Sequence, residues 1–221
     1  MRNSSGFAIS GVYVFLGVIG LTLAIAPGYG SPIFPAAGLA LAAALHFGRG
    51  AVPFIGLGSL LLNLGVAVHG PGLTWSSGLA AVGIAVGATL QAVLGQWLVR
   101  RRLGGGWQGM ESEGQVIAFL LQGGVLACLV SASVAVCMLW VFGVIGLDGV
   151  IRLWLVWYSG DLLGVAIFGP LALLFLAPDS EASHERRRRI TPPIVIAFVL
   201  SLFVYAGAAN VEKRRIVAQL E

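Results

Sequence analysis

The chain has 221 residues, 58% hydrophobic and 10% charged, with 13 basic and 9 acidic side chains. A soluble domain carries about 25% charged and about 45–50% apolar residues, and a fold of this size in water could not hide so much apolar surface. Disorder is excluded on the same grounds, and the composition calls for a bilayer as solvent.

A membrane helix needs roughly 20 mainly apolar residues. In chain order, seven stretches meet that need, at about 7–26, 32–48, 51–68, 73–99, 114–145, 150–176 and 192–209. They are separated by Pro/Gly clusters such as Pro27-Gly28-Tyr29-Gly30 and His69-Gly70-Pro71-Gly72, and by polar stretches such as 100–113 and 178–193. Strands of a membrane barrel would alternate over about ten residues, whereas these runs are apolar on every face. The expected fold is all-α: a polytopic membrane helix bundle of about seven transmembrane helices over residues 1–209. Residues 210–221 then begin a segment outside the membrane.

The first stretch ends in Ala24-Ile25-Ala26, which has the form of a signal-peptidase site. Its apolar run is longer than the usual 7–15 residues, and Pro27 follows directly, so it reads as a retained helix. Orientation follows from the positive charges. Arg2, Arg49, Arg100, Arg101, Arg102 and Arg186 to Arg189 fall on one side, nine charges against four (Arg152, Lys213, Arg214 and Arg215) on the other. The positive-inside rule therefore puts the N-terminus in the cytoplasm, and seven spans put the C-terminus outside. The Arg186–Arg189 quartet suits an anionic inner leaflet. No loop is long enough to build a nucleic-acid-binding domain, and none is expected.

Within the spans, Cys128 and Cys137 are nine residues apart, so on one helix they point to opposite faces and cannot pair. Gly83 with Gly87, and Gly160 with Gly164, form GxxxG spacings that let helix backbones approach within the molecule. Only one acid lies deep in a span. Asp161 is about eleven residues into its segment, hence roughly 16 Å deep, and an ionisable group there is a functional hypothesis by default. Trp154, Trp157, Tyr158 and Asp161 follow i, i+3, i+4, i+7 and make one stripe ending in a carboxyl. Asn63, Gln91 and Gln96 are the amides that could face it, Gln91 at similar depth. The stretch from Pro27 to Pro35 is too apolar for water and too rich in Pro and Gly for a helix. Irregular backbone at membrane depth needs burial by protein or a cavity to line. It reads as partly inserted, leading into a helix that begins at Pro35, a favourable first residue. His46, His69 and His184 share no face and have no second carboxylate beside them, so no metal or cofactor is expected. No phosphate-binding loop or nucleophile elbow appears either.

Several strings together resemble the first-described type of the MASE family, bacterial membrane-associated sensor domains. They are Phe34-Pro35-Ala36-Ala37-Gly38-Leu39-Ala40-Leu41-Ala42 with Phe47-Gly48-Arg49, then Gly56-Leu57-Gly58-Ser59-Leu60-Leu61-Leu62-Asn63. Gly87-Ala88-Thr89-Leu90-Gln91-Ala92 follows, with Arg100-Arg101-Arg102, and finally Trp157-Tyr158-Ser159-Gly160-Asp161-Leu162-Leu163-Gly164-Val165 with Pro170. The resemblance implies a multi-pass input module of the bacterial inner membrane, ahead of a histidine kinase or diguanylate cyclase, working as a homodimer. The family often has Glu where this chain has Gln91, and usually an eighth span. The charged segment after Asn210 looks like the start of an extracytoplasmic CHASE-type domain, which would make the chain a fragment of a larger receptor.

The leading expectation is therefore a sensor, itself not an enzyme. It would bind a small ligand, a lipid or a membrane-protein partner within the bundle, and Asp161, Trp157, Tyr158, Trp154, Asn63, Gln91 and Pro35 are the candidate ligand-binding residues. The alternative is a small-solute transporter, or the substrate-binding subunit of one, for which an intramembrane acid with opposing amides would serve equally.

Overall fold

The structure, a computed structural model, describes residues 3–24, 29–70, 72–104, 112–176, 181, 184–185, 187–189, 191–196 and 198–200. Its helices are α1 (Asn3–Leu21), α2 (Pro35–Phe47), α3 (Val52–His69), α4 (Trp75–Leu103), α5 (Glu113–Phe119), α6 (Ala127–Val141) and α7 (Val150–Leu176). A π-helical stretch, Leu120–Leu126, joins α5 to α6. The described residues include no strand, and the all-α membrane bundle expected from composition is what the chain forms.

The chain divides into two compact units, Met1–Ala177 and Pro178–Glu221. In the second, residues 191–196 and 198–200 are helical. The rest of the span expected at 192–209, and the segment 210–221, lie outside the described residues, as do 25–28 of the Pro/Gly stretch.

Helix ends follow local chemistry. Thr74 and Ser77 cap α4 reciprocally, the Ser77 amide donating to Thr74 Oγ1 at 3.2 Å and the Thr74 amide to Ser77 Oγ at 2.8 Å. Ser112 and Gln115 do the same for α5, satisfying amides that a helix start leaves orphaned. Pro35 opens α2, where a missing amide hydrogen costs nothing. Gly48, at φ 65°, closes it, its amide donating to the Ala44 carbonyl.

Five apolar helical runs among the described residues are long enough to cross a membrane: Ser4–Leu21, Pro35–His69, Trp75–Leu103, Glu113–Val141 and Leu147–Leu176. The second is not one rod. Ser10 Oγ donates to the Phe54 carbonyl at 2.7 Å, Gly58 packs on Tyr13 and Gly17 on Leu62, so α1 and α3 run parallel. Phe34 and Pro35 lie beside Gly20, near the end of α1, so α2 runs against both. The chain thus reverses at the 3₁₀ turn Gly48–Ala51. By the same reasoning α2 and α7 run parallel, since Gly160, Gly164 and Gly169 abut residues 31–38 in ascending order.

α2 is short, 13 residues or about 20 Å, well below the roughly 30 Å of a bilayer core. Non-helical backbone at 29–34, with a turn at Tyr29 and a bend at Pro32, leads into it, and this segment lies along α7. The Phe34 amide donates to the Gly160 carbonyl at 3.0 Å. A Cβ on Gly160 would strike the Ser31 carbonyl, and one on Gly164 the Phe34 carbonyl. The GxxxG at 160–164 is therefore a seat for another backbone, while Gly83 and Gly87 admit Met138 and Val134 of α6. Ten residues of α2 are buried, among them Ala36, Ala37, Ala40 and Ala42 to Ala44, and small side chains on every face let α1, α4 and α7 close around it.

Two measurements check this arrangement. Single cysteines replacing Arg49 and Leu73 should label from opposite sides of the membrane, with Leu147→Cys on the side of Leu73→Cys; a single pass over residues 35–69 would put position 73 on the side of the N-terminus. Gly164→Ala should lower the melting temperature of the purified protein, overpacking costing about 1–3 kcal/mol, whereas Gly65→Ala, with no atom within 4 Å of its new methyl, should not.

Candidate functional site

The described residues enclose a cavity of about 30 Å³ at the heart of the first unit. Tyr13 of α1, Ser59 and Asn63 of α3, Gln91 of α4, Ser131 of α6, Trp157 and Asp161 of α7, and Tyr29, Ser31 and Phe34 of the extended segment line it, with the alanines of α2 behind. Such a volume holds one or two water-sized groups. Among the described residues, no Lys, Arg or His lines it.

Each polar group has a traceable arrangement. Asp161 is 2% exposed; Ser131 lines the cavity with it, and Oδ2 is buried with no hydrogen-bond partner among the described residues. The Tyr29 hydroxyl is likewise buried and unpartnered. Asn63 Nδ2 donates to the Ser59 carbonyl at 2.8 Å, and Gln91 Nε2 to Cys128 Sγ at 3.2 Å. Both amides thus commit their NH₂ groups to the fold, which leaves their carbonyl oxygens. Tyr13 packs on Gly58, next to Ser59, and its ring meets Phe34 edge-on, centroids 6.2 Å apart. Ser31 Oγ donates to the Gly20 carbonyl at 2.7 Å, tying the extended segment to α1.

Of the residues singled out in the sequence, Asp161, Trp157, Asn63 and Gln91 meet at this cavity. Trp154 and Tyr158 do not line it. At 100° per residue, Trp157 and Asp161 form one edge of the stripe, and Trp154 and Tyr158 another, roughly 60° around the helix. The second pair stacks ring on ring, centroids 5.3 Å apart, against α6. Trp154 Nε1 donates to Ser133 Oγ at 3.1 Å, and the Tyr158 hydroxyl to the Val125 carbonyl at 3.3 Å. Val125 lies in the π-helical stretch, where the i→i+4 ladder is broken and carbonyls become available. Pro35 is buried at the first turn of α2, next to Phe34 but outside the lining. Gln96 faces instead an open groove with Gly48, Arg49, Trp97, Arg100 and Arg101. There Arg100 Nη2 donates to the Leu45 carbonyl at 2.6 Å, and Arg101 lies 5.1 Å over the Trp97 ring.

The sequence reading missed Tyr13, Tyr29, Ser31, Ser59 and Ser131. Hydroxyls are common at helix contacts in lipid, so none stands out singly. The available signal was their alignment with Asp161 once helix directions were known.

Over residues 6–210 the chain matches the model of the MASE1 family. The chain belongs to that family. MASE1 is a membrane-associated sensor domain, and the multi-pass apolar bundle agrees with that description. No curated protein and no solved structure matches the chain.

The two edges of the α7 stripe should separate experimentally. Tyr158→Phe removes one hydrogen bond and should cost about 1 kcal/mol of stability, read as a lowered melting temperature, and, where this sensor domain is carried by a longer signalling protein, should leave that protein's response intact. A changed response at unchanged stability would move Tyr158 into the functional site.

Proposed function

We propose that this MASE1 domain is the sensory input module of a bacterial inner-membrane receptor, reading its stimulus at the Asp161 cavity. Its output domain would be a histidine kinase or a diguanylate cyclase, and it would work as a homodimer. The observation that carries the reading is the buried, unpartnered Asp161 Oδ2 in an oxygen-rich cavity. A carboxyl in a membrane interior is costly to keep, about 2.5–3.5 kcal/mol on insertion scales, and no basic side chain among the described residues offsets it there.

The lining explains how occupancy would travel. Tyr13, Ala37, Asn63, Gln91, Ser131 and Asp161 come from α1, α2, α3, α4, α6 and α7 respectively. An occupant that prefers one arrangement of these helices biases the whole bundle, which is the requirement for passing a signal to a distant domain. The seat of the extended segment on Gly160 and Gly164 is a contact of backbone on backbone, so a change at Asp161 is felt directly by α2.

One observation favours a second reading. A short helix preceded by extended backbone beside a buried acid is also how transporters build substrate sites at the midplane. Solute accumulation by vesicles containing the chain would support that reading.

In the full-length receptor, Asp161→Asn and Trp157→Ala should each change signalling output while the protein still inserts into the membrane. Wild-type output from both variants under every stimulus would overturn the assignment of the cavity.

A further inference from the structure

We infer that the occupant of the Asp161 cavity is a small monovalent cation of sodium's size, drawn out of water and held by oxygen atoms from several helices. The inference deepens the reading above by naming what the cavity takes.

Size comes first. Pockets for organic ligands run to about 300–1,000 Å³, and this cavity offers about 30 Å³. A metabolite or aromatic ligand would have to force apart Trp157, Phe34, Leu62 and Ile84, which wall it. An alkali cation stripped of its water is smaller than a water molecule and fits without rearrangement.

Charge comes second. Among the described residues the lining has one carboxyl and no basic side chain, so an anion would meet only repulsion. A divalent ion would leave an excess positive charge in the bilayer interior, where uncompensated charge is strongly disfavoured. A monovalent cation brings the sum to zero.

Donor chemistry comes third. Hard cations take oxygen ligands, and the lining supplies them in kind. Asp161 Oδ2 has no hydrogen-bond partner among the described residues. The amide nitrogens of Asn63 and Gln91 are already committed, which leaves their carbonyl oxygens. The hydroxyls of Ser59 and Ser131 are there as well. The other titratable groups near Asp161 are Tyr13 on α1, Tyr29 ahead of α2 and Cys128 on α6, none of which carries a cation.

The test uses the whole chain in nanodiscs at fixed pH and ionic strength, titrating sodium chloride against choline chloride. Melting temperature and tryptophan fluorescence are read together. Sodium should raise the melting temperature and shift the fluorescence along one saturating curve, as a ligand that binds only the folded state does, and choline should do neither. Asp161→Asn should abolish the sodium response. Ser131→Ala should raise the half-saturating concentration by about tenfold, the worth of one hydrogen-bonding partner of a charged group. Should Asp161→Asn fail to fold, Ser131→Ala and Ser59→Ala decide the matter. Identical sodium and choline curves, or a sodium response that survives in Asp161→Asn, overturn the inference. So does a melting temperature that, in a second series run from pH 5 to pH 9, follows pH equally in sodium and in choline, which would make the proton the occupant. The sensing proposal stands or falls separately. Altered receptor output in Asp161→Asn without any sodium effect removes the cation and keeps the sensor site; a sodium effect with unaltered output does the reverse.

Discussion

The structure depends on the contact between the extended segment at 29–34 and the glycine seam of α7. Gly160 and Gly164 have no side chains to hold the Ser31 and Phe34 carbonyls away, and the Phe34 amide is satisfied by the Gly160 carbonyl at 3.0 Å. In lipid, no water is present to satisfy an irregular backbone, so such a segment survives only where protein buries it. Because the seam buries it, α2 begins part-way along the bundle rather than at its edge. Because α2 begins there, room remains beside its first turn, and Asp161 borders that room.

The cavity's chemistry follows from that geometry. Asp161, one residue beyond Gly160 and so about 100° around the helix from it, borders the cavity beside the seam, and α1, α3, α4 and α6 bring hydroxyls and amides up to it. Most of those groups are held by partners in the fold, such as Asn63 on the Ser59 carbonyl and Gln91 on Cys128. Asp161 Oδ2 and the Tyr29 hydroxyl are held by none among the described residues. Buried polar groups without partners are rare in folded proteins and ask for an explanation. In a membrane-associated sensor domain, a site for the sensed species supplies one.

The sequence exposed Asp161 because an acid in an apolar run is conspicuous, and Pro35 because proline marks a helix start. Asn63 and Gln91 stood out for the same reason as Asp161. The bundle itself was legible from apolar run length. So was the start of α2 at Pro35 after an irregular Pro/Gly-rich approach. The seating of residues 29–34 on Gly160 and Gly164 was not, since GxxxG spacing does not say which backbone it admits. Nor was the splitting of the α7 stripe. Trp154 and Tyr158 share the apparent face of Asp161 at helical spacing, and only the position of α6 decides that they stack against it and hydrogen-bond Ser133 and Val125. The five hydroxyl residues of the lining come from four separate elements, only Tyr29 and Ser31 sharing one, and no spacing within one segment could connect them all.

If the cavity is where this domain reads its stimulus, the extended segment and α7 must shift relative to one another when the stimulus arrives. A Cβ built at Gly30 lies 3.7 Å from Val156 Cβ, a separation suited to a disulfide. The most direct measurement is therefore the output of a full-length receptor carrying Gly30→Cys and Val156→Cys, with and without reductant. The account predicts an output that ignores the stimulus while the bridge is closed and regains its response on reduction. A full stimulus response with the bridge closed would contradict it.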